Sequence, residues 1–291
     1  MAIKHSLVDY SKIVNDSEHR NGFIKNATDF ILDNRFDGLD LFLDLSTIRD
    51  HSHHPGSLFT EKYSDKDAII RFAKELKQSL HGNNKTLTAA FTGINTDLAK
   101  SLNVTALSEH LDLLNFVPMY DFRGHSGNVA LDTLNATKTE QFFDNLIKSN
   151  VLSSKIVIGV SFLGHSFTHK TDSIQFEDTW GASHACEMSR KLKVANLFIK
   201  KGPQQKTAKF YSLESEHADS IRLKVEFIKS RNLAGITAFP VNFDDFLEEC
   251  DESDSKSAFA DQQIAYPLLW TINKAISKAF LQSHETEVNR N

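Results

Sequence analysis

The chain alternates between short, dense apolar runs and longer stretches whose apolar residues return every three or four positions. Residues 17–34 place Phe23, Ile24, Ala27, Phe30 and Ile31 on one helical face, and 64–82 do the same through Ala68, Ile69, Phe72, Ala73, Leu76 and Leu80. Gly82 supplies a stop signal for the second. Further helices are expected at 96–110, interrupted near Asn103, and at 136–150, 218–232 and 262–283. Between them lie strand-like runs at about 36–45, 86–93, 112–120, 156–163 and 234–241. Their nearly continuous apolar character is that of strands covered on both faces. Strand–helix alternation of this kind predicts an α/β protein with a parallel sheet. The alternation breaks at 168–217, which is polar and mixed, and the end of the chain from 284 reads as a loose polar tail.

Composition narrows the class. Apolar residues make up 40% and charged residues 24%, so the chain has enough apolar surface for a packed core. The 22 phenylalanines, against 5 tyrosines and 2 tryptophans, predict that much of that core is aromatic and dry. With 33 basic and 38 acidic residues the net charge is −5, and no long basic block occurs, so neither nucleic acid nor an anionic membrane is an expected partner. No apolar stretch is long enough to span a bilayer. The two cysteines, Cys186 and Cys250, show no metal-ligand spacing and can be two free thiols or one bridge. Residues 1–12 contain no apolar segment of the kind found in a secretory signal. Five N-x-S/T sequons, at Asn15, Asn26, Asn84, Asn103 and Asn135, exceed the about two or three expected by chance and point toward secretion and glycosylation.

In a parallel α/β fold, chemistry gathers at the C-terminal ends of the strands. Asp40, Phe42 and Asp44 share one face of the first predicted strand by its period of two. Tyr120, Asp121 and Arg123 follow the third, His165 the fourth, and Phe239 to Asp245 the last. Carboxylates and aromatic rings converging on one mouth suit a carbohydrate, because rings stack on sugar faces and carboxylates accept from hydroxyls. Asp40 and Asp44 can be read as a two-acid pair, or Asp40 as a buried structural acid. His51, His53 and His54 can be read as a metal site or as solvated loop residues; the second reading is favoured, and no metal is expected. No G-x-G-x-x-G, phosphate-binding loop or G-x-S-x-G is present, so no cofactor is expected.

The same segments resemble the chitinase-type glycosidases of glycoside hydrolase family 18. FDGLDLFLDL (36–45) is similar to that family's FDGxDxDxE strand, YDFRG (120–124) to its MxYDFxG strand end, and SKIVIGVSFLGHSF to its KLVLGxPFYGRSF segment. The run from Ser220 to Phe246 is similar to its last strand and DDF element. The resemblance spans about residues 10–283. It implies a (β/α)8 barrel with a small α+β insertion before the last strand, at 168–217, and barrel segments at 1–167 and 218–283, followed by a tail at 284–291. In the family the FDGxDxDxE strand is the fourth. With 35 residues before it, the resemblance implies a partial barrel lacking the first three strands, an N-terminally incomplete copy of a secreted, extracellular protein. The strands at 36–45 and 234–242 are then expected to be sheet edges, with Leu39 or Leu41, Phe42, Phe91 and Phe239 facing the gap. The resemblance also implies a disulfide between Cys186 and Cys250.

Family members cleave β-1,4-linked N-acetylglucosamine, with the substrate's acetamido oxygen as nucleophile. Carried over position by position, the general acid is Asp44 instead of Glu, the assisting Asp is Phe42, the motif Arg is His165 and the floor Trp is Phe239. Asp37, Gly38, Asp40, Tyr120 and Asp121 match. Phe42 cannot orient an amide or stabilise a cation, and the shorter Asp44 withdraws its proton by roughly 1 Å, a misplacement that can cost about 10²-fold. The expectation is a catalytically inactive chitinase-like protein with residual, weak binding of chitin or N-acetylglucosamine oligomers at Tyr120, Asp121, His165 and Phe239. The alternatives are a weak or altered glycoside hydrolase with Asp44 as acid, and a non-functional truncated copy.

Overall fold

The computed structural model describes residues 2–5, 13–43, 66–92, 102–117, 136–162, 164–170, 173–180, 210–214, 218–246 and 266–288. Six strands form one sheet: β1 (Ala2–His5), β2 (Gly38–Leu43), β3 (Thr86–Thr92), β4 (Leu113–Val117), β5 (Ile156–Ser161) and β9 (Gly235–Phe239), neighbours in that order. Each pair from β1·β2 to β4·β5 is parallel. Strand β9 joins β5 through Ala234 N–H to the Ile156 carbonyl and Phe162 N–H to the Phe239 carbonyl. Residue numbers rise together along that pair, so it is parallel too. Strands β6 (Gly164–Lys170), β7 (Ser173–Trp180) and β8 (Phe210–Glu214) form a second, antiparallel sheet with β6 in the middle.

One expectation is overturned here. The strand at 36–45 is not an edge, because β1 lies beside it, Ala2 paired with Asp40 and His5 with Leu43. Among the described residues one strand, β1, precedes it where none was expected. Four residues are too few to show a period, and AIKH carries a Lys and a His. The strand owes its existence to the ladder offered by β2 rather than to its own propensity. Among the described residues the sheet ends in β1 on one side and β9 on the other.

The alternating side chains give the sheet two different faces. Leu39, Leu41 and Leu43 of β2 lie in register with Leu87, Ala89 and Phe91 of β3, and beyond them come Leu114 and Phe116 of β4 and Ile156 and Ile158 of β5. All are buried. Phe116 stacks on Phe91 at 5.2 Å and meets Phe142 and Phe143 of helix α4 (Ala136–Lys148) edge-on at 5.4 and 5.5 Å. This face therefore looks toward the helices. Leu39, Leu41 and Phe91, expected to face a gap in the barrel interior, belong to it instead. A strand apolar on both faces does not disclose which set points where.

Helix α1 (Ser17–Asp33) begins at Asp16, whose carboxylate accepts from the Glu18 and His19 N–H groups at 2.8 and 2.9 Å. It packs on α2 (Lys66–His81) through Phe23 against Phe72, Thr28 against Ser79, and a buried Arg20 whose guanidinium meets Glu75 at 2.7 Å and donates to the Val14 carbonyl at 3.0 Å. Asn103 caps the short helix α3 (Val104–Ser108), its Oδ1 accepting from Ala106 N–H, where the sequence pattern falters. Helices α5 (Ala218–Ser230) and α6 (Pro267–Val288) complete the set. Helix α6 continues to Val288, into the stretch read as a loose tail.

The chain divides into two compact units. One comprises Met1–Asp121, Ala136–Ile158 and Asn232–Gly235, and the other Phe122–Asn135, Gly159–Arg231 and Ile236–Asn291. The first holds the leucine and phenylalanine core just described. The second has its own core of Val160, Phe162, Ile221, Leu268 and Ile272, with Ile236, Ala238 and Phe243 packed against it.

Candidate functional site

Strand β2 presents Gly38, Asp40 and Phe42 on the face opposite the helices. Gly38 is paired with Thr86 so tightly that a Cβ there would lie 2.2 Å from Thr86 Oγ1 and 2.3 Å from its carbonyl oxygen. That is the local reason for the Asp-Gly of the motif. The Asp40 carboxylate is reached from two neighbouring strands. Thr88 Oγ1 donates to its Oδ1 at 2.5 Å and Asn115 Nδ2 donates to the same oxygen at 3.3 Å. Thr88 and Asn115 were not singled out from the sequence. The signal that would have found them is a polar residue interrupting an apolar strand on the same period as Asp40. With two donors on one oxygen, half-buried Asp40 is held across three strands.

Phe42 follows on the same face, with Ala90 of β3 as its register partner. Its side chain is 6% exposed. The small Ala90 leaves room beside a benzyl ring, and that ring occupies the sheet face where a carboxylate would otherwise project. Asp44, the next residue of that period, lies outside the described residues, as do Tyr120, Asp121, Cys186, Cys250, Asn135 and the histidines at 51, 53 and 54. His165 is the second residue of β6, paired with Thr179 and Glu214 in the antiparallel sheet. Phe239 ends β9 half-buried, its carbonyl accepting from Phe162 N–H at 3.0 Å, and its bond to Pro240 is cis.

Two further carboxylates are held for the frame. Asp112, just before β4, accepts from Lys77 Nζ at 2.6 and 2.5 Å and from Leu87 N–H at 2.7 Å. Burial pushes its carboxyl up, but the hydrogen bonds from Lys77 and Leu87 and the charges of Lys77 and Lys155 outweigh that and hold it below the ordinary value. Asp244, the first acid of the DDF element, is buried. Its carboxylate accepts from the N–H groups of Asp245, Leu268 and Leu269, the last two in the first turn of α6. Burial raises its carboxyl above the usual range, and the three N–H donors only partly offset it. Asp244 thus caps helix α6 from a distant segment. Among the described residues no group of His, Cys, Asp or Glu is arranged to hold a metal ion, and no helix is long and apolar enough to cross a membrane.

Comparison with known proteins places this arrangement. Residues 4–244 match the family model described as glycosyl hydrolases family 18. The chain is 24% identical to Probable chitinase 2 of Drosophila melanogaster, over 92% of this chain and 61% of that protein. It is also 24% identical to the Endochitinase of Manduca sexta, over 84% of this chain and 49% of that one. It thus spans only part of the length of these relatives. Among solved structures, the catalytic domain 2 of the Ostrinia furnacalis Group II chitinase superposes with a TM-score of 0.68 at 22% identity, covering 96% of this chain and 77% of that one. Human YKL-39, described as a pseudo-chitinase with retained chitooligosaccharide binding properties, gives a TM-score of 0.68 at 19% identity, covering 95% of this chain and 80% of that one.

Proposed function

The chain belongs to glycosyl hydrolases family 18 and has that family's barrel-type α/β fold with a parallel sheet, and from that premise we propose that it is a secreted chitinase-like protein which binds chitin-type oligosaccharides weakly and does not hydrolyse them. The observation that carries this reading is Phe42. When the acetamido oxygen of the substrate attacks the anomeric carbon, positive charge develops on the ring and on the amide. A preorganised carboxylate two residues beyond Asp40 would stabilise that charge where it forms. A buried phenyl ring on the same face supplies no such charge. Asp40 sits two residues short of that position and is tied to the sheet through its Oδ1 by Thr88 and Asn115. Tyr120, Asp121, His165 and Phe239 remain the residues proposed to contact the sugar.

The experiment is a turnover assay on N-acetylglucosamine oligomers beside retention on chitin. No hydrolysis above background is expected, with measurable but weak retention. Glu restored alone at position 44 should recover little, and Phe42→Asp with Asp44→Glu more. Hydrolysis by the unaltered chain at ordinary rates, on the order of 1 per second or faster, and abolished by Asp44→Asn, would establish the altered hydrolase instead.

A further inference from the structure

Four of the sequon asparagines lie among the described residues, and their side chains are exposed. Three have a reason to be there that involves no sugar. Asn15 has an interaction partner. Asn84 holds left-handed backbone, φ 56°, in the turn after α2, a conformation asparagine tolerates better than most residues. Asn103 caps α3. Asn26 has none of these reasons. It sits in the middle of α1 on the solvent side, where asparagine is a poor helix former. Among the described residues its side chain takes part in no hydrogen bond or ion pair. The third sequon residue, Thr28, is buried with its hydroxyl 2.9 Å from Ser79, so packing accounts for the threonine and leaves the asparagine unexplained.

A second observation lies one turn further along the same face. Phe30 is four residues from Asn26, the spacing at which helical side chains neighbour each other. It is 49% exposed, and one side of its ring stacks on Phe36, itself exposed, at 6.1 Å and 22°. Among the described residues this is an exposed aromatic pair, at and just beyond the end of α1, next to an unexplained sequon. The C–H face of a pyranose ring packs on such a surface.

We propose that Asn26 is an N-glycosylation site whose first sugar lies over the Phe30–Phe36 pair. In the transfer, Asn26 Nδ2 forms a bond to the anomeric carbon of a polyprenyl-diphosphate-linked oligosaccharide. The bond from that carbon to the diphosphate oxygen breaks, the polyprenyl diphosphate leaves, and Nδ2 gives up one proton.

The test begins with the chain purified from its native source. It is treated with peptide N-glycosidase in heavy-oxygen water and mapped by mass spectrometry. Residue 26 is expected as heavy-oxygen-labelled aspartate, and recovery of the Asn26 peptide unmodified overturns the proposal. A second measurement addresses the sugar's position. In chain secreted from a eukaryotic host, Asn26→Gln should lower Tm by roughly 2 °C, and should not do so in the presence of Phe30→Ala. An equal effect in both backgrounds would overturn the packing on Phe30.

Discussion

A methyl group added at Gly38 would meet the side chain and the carbonyl of Thr86 at 2.2 and 2.3 Å. The carbonyl cannot withdraw without breaking the β2·β3 ladder. Gly38→Ala is therefore expected to destabilise the protein by about 3 kcal/mol, the range for forced overpacking, read as a lower urea midpoint with unchanged slope. Asp112 acts through charge. Its folded carboxyl titrates below the unfolded value of 3.8. The stability it contributes is complete above that value and is lost as pH falls through the folded pKa. Thermal midpoints measured downward from neutral pH should fall less steeply below about pH 4 in Asp112→Asn than in the parent. An unchanged slope would remove Asp112 from the account of acid sensitivity. Legibility differed between these two residues. Gly38 was visible in its motif, whereas the partners of Asp112 come from α2 and β3, and no local pattern announces them.

Helix α6 shows how an element's end can be fixed by residues far away in sequence. Its first-turn N–H groups at Leu268 and Leu269 are met by Asp244 at 3.2 and 2.9 Å. Asp244→Ala leaves those donors and the Asp245 N–H unmatched in a buried setting, and should cost about 2–3 kcal/mol. Asp244→Asn keeps one acceptor oxygen and removes a charge that burial disfavours, so at neutral pH it should cost less, about 1 kcal/mol or under. The sign of its pH dependence is opposite to that of Asp112. A carboxyl raised in the folded state stabilises the fold progressively as pH falls from above its folded pKa toward 3.8. Urea titration of both variants at neutral and mildly acidic pH separates these outcomes. Equal losses in the two variants would mean that the hydrogen bonds contribute nothing. At this scale the sequence served well for β2 to β5, β9 and the longer helices, whose apolar runs are dense. It failed for β1, too short to carry a pattern, and for the burial of Arg20, whose charge hides a role that only Glu75 and the Val14 carbonyl explain.

At the scale of the molecule, neighbouring strands from β1 to β5 in the six-stranded sheet are also consecutive in sequence, and β9 departs from that order. Thr88 pairs with Leu113, Leu43 with Phe91 and Phe116 with Ile158. Phe162 and Phe239, bonded between β5 and β9, are separated by the entire antiparallel sheet and helix α5. Chain entropy makes that closure the slowest contact to nucleate, since the intervening residues must be drawn together before the pairing returns anything. The strands from β2 to β5 then assemble early and β9 docks late. Leu87→Ala in β3 should slow refolding, whereas Ile236→Val in β9 should leave the refolding rate nearly unchanged and speed unfolding, as stopped-flow kinetics on both variants would read. The insertion between β5 and β9 thereby acts as a timer: lengthening it delays completion of the sheet while leaving the finished contacts as they are, so that the interval during which the outer edge of β5 stands open is set by chain length rather than by the strength of any bond.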